Sequence, residues 1–283
     1  MLSYRHAFHA GNFADVLKHL VLANTLEYAM RKAAPLFYLD THAGAGVYRL
    51  GSDAAHKTGE ASAGIKKLDF PALLKNAGAE GKAALQTYFD VVNPFLQQGQ
   101  YPGSPMVAAN MLRRTDHLHL SELHSTDYRL LLDLCEHDKR IHYEQEDGYS
   151  RIAALIPPVQ KRAVILIDPS YELKEDYSRS IKAVANIYQR MPTAQVLLWY
   201  PVVLRTNIDW MISSLMKHKI RDLWQVELGV QEDNDSHGMT SSGLFLINPP
   251  WTLAGQLKEC LPALQAQLAP GTGQWLVKNL APE

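Results

Sequence analysis

The chain has 283 residues, 47% of them hydrophobic and 20% charged, with a formal net charge of −1. That balance argues against wholesale disorder and allows one large α/β domain, or one such domain carrying an insertion. It also argues against a broad nucleic-acid-binding face, so any such surface has to be a local patch. Arg31-Lys32, Lys66-Lys67, Arg113-Arg114 and Lys161-Arg162 could contribute to one, although each pair alone reads as a solvated helix end or loop. Cys135 and Cys260 lie far apart and outside any Cys-x-x-Cys pair, which fits a reducing compartment. Met1 to His6 lacks the apolar core of a signal peptide, and no apolar run approaches the ~20 residues that span a bilayer. A soluble cytoplasmic protein is expected.

In chain order, Asn12 opens a helix, with Asp15 three residues on as a variant capping box. Phe13, Val16, Leu17, Leu20 and Val21 follow at helical spacing, and the segment runs to about Arg31. Pro35 precedes a buried strand, Leu36 to Asp40. Residues 51–101 then break the strand–helix rhythm. They are alanine-rich and helical in pattern, with Lys82 to Asn93 as one amphipathic helix that Pro94 should end or kink. They are read as an inserted helical subdomain, leaving 1–50 and 102–283 as the main domain. Ser104 is expected to cap a helix that begins at Pro105. Strands are expected at His117 to Glu122, Arg140 to Glu144, Arg162 to Asp168 and Gln195 to Tyr200, mostly with helices between them. Leu223 to Val230 and Gly243 to Asn248 flank a polar loop too short for a crossover helix, so they read as an antiparallel pair. The expectation is an α/β, Rossmann-like, seven-stranded sheet of the S-adenosylmethionine-dependent methyltransferase type.

Ligands of such sheets bind beyond the carboxyl ends of the strands, where the strand order reverses. Asp40 closes the first strand, and Gly44 and Gly46 turn the chain away from it. A nicotinamide fingerprint would need a third glycine where Arg49 stands, which disfavours an oxidoreductase. S-adenosylmethionine has no pyrophosphate and makes no such demand. Glu122 ends the next strand, where a carboxylate can accept both ribose hydroxyls. Glu60 has a tempting spacing from Asp40 but lies beside Lys57-Thr58-Gly59, away from any strand end, and is rejected for that role. Asp147-Gly148 could take the cofactor's adenine amino group and leave room for its ring, although the pair also suits an ordinary turn.

Asp168-Pro169-Ser170-Tyr171 follows the wholly apolar fourth strand. An exocyclic adenine amine is a poor nucleophile, because its lone pair is delocalised into the ring. A side-chain acceptor on one N–H (Asp168) and a backbone carbonyl on the other (Pro169) would turn that lone pair outward, with Tyr171 stacked on the base. Asn248-Pro249-Pro250-Trp251 is in isolation the better match to an amino-methylating site. It follows the last strand, however, so topology favours Asp168. Tyr4, Arg5, His6, His9, Lys18 and His19 crowd the N-terminal segment. Local polar contacts are the default there, and an arm touching substrate is the alternative. His6-x-x-His9 lacks neighbouring ligands, and no metal is expected.

These features together resemble the RlmJ family of bacterial large-subunit ribosomal RNA adenine-N6 methyltransferases over nearly the whole chain. The stretches that carry the resemblance are Met1 to His6, Phe8 to Asn12, Asp15 to His19, Tyr38 to Gly46, Tyr101 to Pro105, Gly238-Met239-Thr240 and Asn248 to Trp251. The resemblance implies S-adenosylmethionine as cofactor, 23S ribosomal RNA as partner and N6 of an adenine as target. By position it implies that His19, His42, Ser104, Glu122, Asp147, Gly148 and Asp168, with Gly44 beside them, contact the cofactor. Asp168 would also be the catalytic acceptor, and Tyr4, Lys18 and Tyr171 would meet the substrate. Ser170 stands where the family usually has a second proline, which loosens the loop. A monomer is expected. The alternatives are a non-catalytic RNA-binding assembly factor on the same scaffold, motivated by Ser170 and the neutral charge, and a DNA adenine-N6 methyltransferase.

Overall fold

A computed structural model describes residues 5–234 and 238–282, without the side chains of residues 54 and 56. Tyr4 lies outside the described residues. The main sheet contains β1 (Phe37–Asp40), β4 (His117–Ser121), β5 (Ile141–Glu144), β6 (Ala163–Ile167), β7 (Gln195–Val202), β8 (Leu223–Gly229), β9 (Ser241–Ile247) and β10 (Gln274–Ala281), in spatial order β10-β8-β9-β7-β6-β1-β4-β5. β5, β4, β1, β6 and β7 pair in parallel, and β9 inserts antiparallel between β7 and β8. The order reverses at β1 and β6, which opens a crevice at their carboxyl ends.

The sheet thus has eight strands where the sequence reading expects seven. The addition is β10, antiparallel to β8 at the edge and bulged between Asn279 and Ala281. An edge strand needs only one partly covered face, so Trp275, Lys278 and Asn279 hide the alternation that marks an interior strand.

Alternation of side chains assigns each interior strand to two cores. Val164 and Leu166 of β6 point into one, with Tyr38 of β1 and Leu197 of β7. Ala163, Ile165 and Ile167 point into the other, with Phe37, Leu39, Val196 and Leu198. The second core is closed by α8 (Gly148–Leu155), α9 (Glu175–Arg190) and α10 (Arg205–Lys217). The first is closed by α1 (Phe13–Met30), α6 (Ser104–Met111), α7 (Ser125–Cys135) and α11 (Leu253–Leu268). The Asn12 side chain accepts from the Asp15 N–H and starts α1 as expected. This helix is buried almost all round because sheet, α6 and α11 enclose it.

Residues 51–101 hold α2 (Asp53–Thr58), α3 (Glu60–Ala63), α4 (Phe70–Asn76) and α5 (Ala79–Leu96). A small antiparallel pair, β2 (Val47–Arg49) and β3 (Gln100–Pro102), brings the ends of the segment together. Its helices add Phe70, Leu73, Leu85 and Tyr88 to the first core, so they share the main domain's interior. α5 begins before Lys82 and runs through Pro94 to Leu96. The missing proline N–H falls in the final turn, where one lost bond does not stop the helix.

Candidate active site

The loops after β1, β4, β5 and β6 enclose one cavity of about 900 Å³, roomy for a nucleoside-sized ligand and a second base. After β1, Gly44 adopts φ +63° and its N–H donates to Glu122 Oε2 at 2.7 Å. The His124 N–H donates to Glu122 Oε1 at 2.6 Å. Two backbone donors thus fix this carboxylate at the end of β4 and leave its remaining lone pairs for a diol. Burial raises its pKa, against the pull of those two donors.

The glycines are required for a different reason from the one expected. A Cβ on Gly44 would meet the Tyr48 hydroxyl at 2.3 Å, and one on Gly148 would meet the Thr41 carbonyl oxygen at 2.0 Å. They let the loops pack on each other, and this loop–loop contact shapes the cavity wall. Asp147 caps α8 by accepting from the Tyr149 N–H at 3.0 Å. Arg179 also donates to Asp147, and its guanidinium lies 4.4 Å from the Tyr149 ring centroid. His42 meets the same ring edge-on at 4.9 Å, and burial holds its imidazole neutral, with a pKa pushed down to about 4.

The end of β6 carries the densest electrostatics. Lys18 Nζ lies 2.6 Å from Asp168 Oδ2 and 2.9 Å from Asp15 Oδ1, and is 5% exposed. Burial alone would lower the Lys18 pKa, but the two carboxylates outweigh it and raise it. Asp15 would likewise be raised by burial, and its contacts with His6 and Lys18 hold it well below the usual carboxylate range. Asp168 is raised by burial, with Lys18 opposing. Lys18, expected among the substrate contacts, is therefore engaged by two acids of the protein. Pro169 is buried and Tyr171 half-buried. Tyr171 has φ +55°, its hydroxyl donates to the Trp199 carbonyl at 2.7 Å, and its ring packs 4.6 Å from that of Tyr177. This fixes the aromatic wall beside Asp168. Lys18 also lies 5.8 Å from the Trp199 ring centroid.

His19 and Ser104 also line the cavity. His19 Nδ1 bonds the Tyr101 hydroxyl at 3.0 Å, and Tyr101 bonds Tyr88 at 3.0 Å. His19 Nε2 is buried without a hydrogen-bond partner, and burial pushes the imidazole pKa down to about 3. Ser104 does not cap α6. It is the first residue of the helix, Gly103 occupies the cap position, and the Ser104 side chain makes no cap bond and favours the charged form of Asp40 instead. The buried Asp40 carboxyl, raised to about 6 chiefly by burial, offers a stronger partner than the helix amides.

Other residues of the cavity went unnoticed in the sequence. Asp15 lies one helical turn before Lys18 and His19 on α1, a spacing that could have grouped the three. His6 bonds Asp15 at 2.8 Å, while His9 and Asn12 bond Glu60 at 2.7 and 2.9 Å. The partners of His6 and His9, absent from their local sequence, thus arrive from Asp15 and from the helical segment. Glu60 belongs to this cavity through its bonds to His9 and Asn12. Trp199 and Arg179 complete the lining and carried no sequence signal of their own, and Met239, known from the Gly238-Met239-Thr240 stretch, joins them.

Two expected features lie elsewhere. Asn248 donates to the carbonyls of Pro192 (2.6 Å) and Ala194 (2.8 Å), at the amino end of β7, and Trp251 is 80% exposed. The basic pairs are largely absorbed by the fold. Arg113 donates to carbonyls between Met30 and Ala34, Arg162 to those of Ala29 and Ala34, Lys66 to Leu50 and Lys67 to Leu268.

S-adenosylmethionine fits this set. Glu122 could accept a ribose diol through its remaining lone pairs, Asp147 lines the same cavity, and the buried His19 Nε2, without a hydrogen-bond partner, could meet the amino-acid end. The acid-rich lining favours a cationic sulfonium. Fold and site together define an S-adenosylmethionine-dependent methyltransferase with the Rossmann-like sheet.

Comparison with known proteins narrows this further. The family described as "Ribosomal RNA large subunit methyltransferase D, RlmJ" matches residues 33–281. "Ribosomal RNA large subunit methyltransferase J" of Escherichia coli (strain K12) is 46% identical, with all of both chains covered. The protein of the same name from Haemophilus influenzae is 42% identical, again over all of both chains. A crystal structure from Legionella pneumophila superposes with a TM-score of 0.85 at 36% identity, covering 96% of this chain and 98% of that one. The chain belongs to the RlmJ family.

Proposed function

We propose that this protein methylates N6 of an adenine in 23S ribosomal RNA. The reading rests on Asp168-Pro169-Ser170-Tyr171 at the end of β6, set in the same cavity as Glu122, Asp147 and His19. The relatives' name supplies the large-subunit ribosomal RNA. S-adenosylmethionine, when bound, supplies an electrophilic methyl group on sulfur. The protein then has to present a nitrogen lone pair in line with it. Asp168 Oδ1, the oxygen not bonded to Lys18, accepts one N–H of the adenine amine, and the Pro169 carbonyl accepts the other. Lys18 keeps the carboxylate ionised and fixes its rotamer, so Asp168 works as an oriented acceptor. Tyr171, anchored through its hydroxyl, stacks on a base that has left its helix.

The helical segment 51–101 acts in this reading as an inserted subdomain that brings Glu60 to the substrate side. Among the described residues no helix is long and apolar enough to cross a membrane. In this reading the protein acts as a monomer, and ribosomal RNA as substrate supports a cytoplasmic location. The test is incubation with methyl-labelled S-adenosylmethionine and ribosomal RNA from cells lacking the protein, followed by nucleoside mapping. One N6-methyladenine in 23S RNA is expected. Absence of label would make the protein a non-catalytic binder, and label on DNA with none on RNA would replace the substrate.

A further inference from the structure

Outside the cavity, at the β5 edge of the sheet, His119 of β4 and His142 of β5 are paired in parallel register. Their ring centroids are 4.8 Å apart, and Glu144, two residues beyond His142, projects from the same face. His119 Nε2 lies 3.3 Å from Glu144 Oε2, and His142 Nε2 lies 2.9 Å from Glu144 Oε1. The ligand atoms of all three residues fall within 4.8 Å of one another, the single such group among the described residues. The His119 side chain is only 4% exposed, yet its Nε2 has no hydrogen bond. Glu144 Oε2 is ion-paired with Arg151 Nε at 2.6 Å. The buried His119 Nε2, set beside an acid and a second imidazole, is the polar atom that a bound ligand would satisfy.

We propose that His119, His142 and Glu144 form a binding site for a divalent transition metal of the zinc class, separate from the methyl-transfer cavity. Two imidazoles and a carboxylate are a zinc ligand set with a fourth position left for water, and bonds of about 2.0–2.2 Å place tetrahedral ligand atoms about 3.4 Å apart. His119 and Glu144 already stand at that spacing. His142, which is 65% exposed, has room to close the remainder. The competitor is Arg151, which donates to Glu144 Oε1 at 3.2 Å and crowds Oε2. Its Nε is also 3.5 Å from Glu146 Oε2, so a second carboxylate is at hand when an ion displaces it.

The test titrates untagged, chelator-stripped full-length protein with Zn²⁺ by calorimetry and with Co²⁺ by visible absorption. One equivalent is expected, with the absorption of low-coordinate Co²⁺. His142→Ala and Glu144→Gln should each weaken binding about 10-fold or more, whereas His137→Ala, at a histidine 93% exposed, should not. Melting curves in chelator check that the variants fold. Absence of stoichiometric binding, or binding unaffected by both ligand variants, overturns the site.

Discussion

Two turns of similar composition, Asp168-Pro169-Ser170-Tyr171 and Asn248-Pro249-Pro250-Trp251, end two strands of one sheet and meet opposite fates. Both contain a non-glycine residue with positive φ, Tyr171 at +55° and Asn248 at +50°. At the first turn the polar side chain faces a cavity and is held by a lysine that itself needs a second acid. At the second, the amide is consumed by two backbone carbonyls and the aromatic ring lies in solvent. Strand direction makes the difference. β6 runs with the parallel strands and β9 runs against them, so their ends lie on opposite rims. The four-residue pattern is therefore a site only where the sheet delivers it to the crevice.

Substitution at the two turns is the most direct way to break this comparison. Asp168→Ala should lower the methylation rate by about 10³-fold or more, because the amine loses its side-chain acceptor. It should leave the fold standing, since Lys18 keeps Asp15. Labelled transfer and thermal melting read the two effects, and near-normal transfer would remove Asp168 from the mechanism. Lys18→Met should destabilise the protein by about 3–5 kcal/mol, because Asp15 and Asp168 are left buried without their cation. An unchanged melting temperature would show that the carboxylates have another compensation.

The next effect is pH dependence. His19 is neutral in the fold, with a pKa of about 3 against an ordinary 6.5. Below about pH 6.5 the unfolded chain binds a proton there that the folded chain refuses, so stability falls as pH falls; His42, at about 4, acts in the same sense. Asp40 opposes them, because a carboxyl raised from 3.8 to about 6 makes the fold more stable as pH falls through that window. His19→Gln should recover about 2 kcal/mol of the loss between pH 7 and pH 5, measured by denaturant unfolding at both pH values. An identical pH slope would place the charge elsewhere. The smallest effect belongs to the second turn. Asn248→Ala should cost about 1 kcal/mol through its two hydrogen bonds and leave methylation unchanged. A loss of transfer with normal stability would reverse the contrast between the turns.

Much of the cavity was legible because its acids terminate apolar strands. Asp168 follows such a run directly, whereas Glu122 closes the alternating strand His117–Ser121 and Asp147 lies three residues past Glu144. The positions of the interior strands follow from burial on both faces, which forces continuous apolar sequence in β6 and alternation between two cores. The partners of these acids were not legible. Lys18 meets Asp168 across 150 positions of sequence, and His9 meets Glu60 across 51. Neither pair leaves a local periodicity. β10 escaped for a related reason, since an edge strand is specified by its neighbour more than by its own pattern.

The sequence by itself determined the strand–turn units, the capped α1 and the carboxylates that close β1, β4 and β6, because these depend on short-range sterics and on which residues can be buried. Tertiary structure alone decided what consumes the Asn248 amide, which basic residues are absorbed by carbonyls, and that a buried lysine clamps the acid of the fourth parallel strand. Those outcomes depend on contacts between distant segments, which a one-dimensional pattern does not carry.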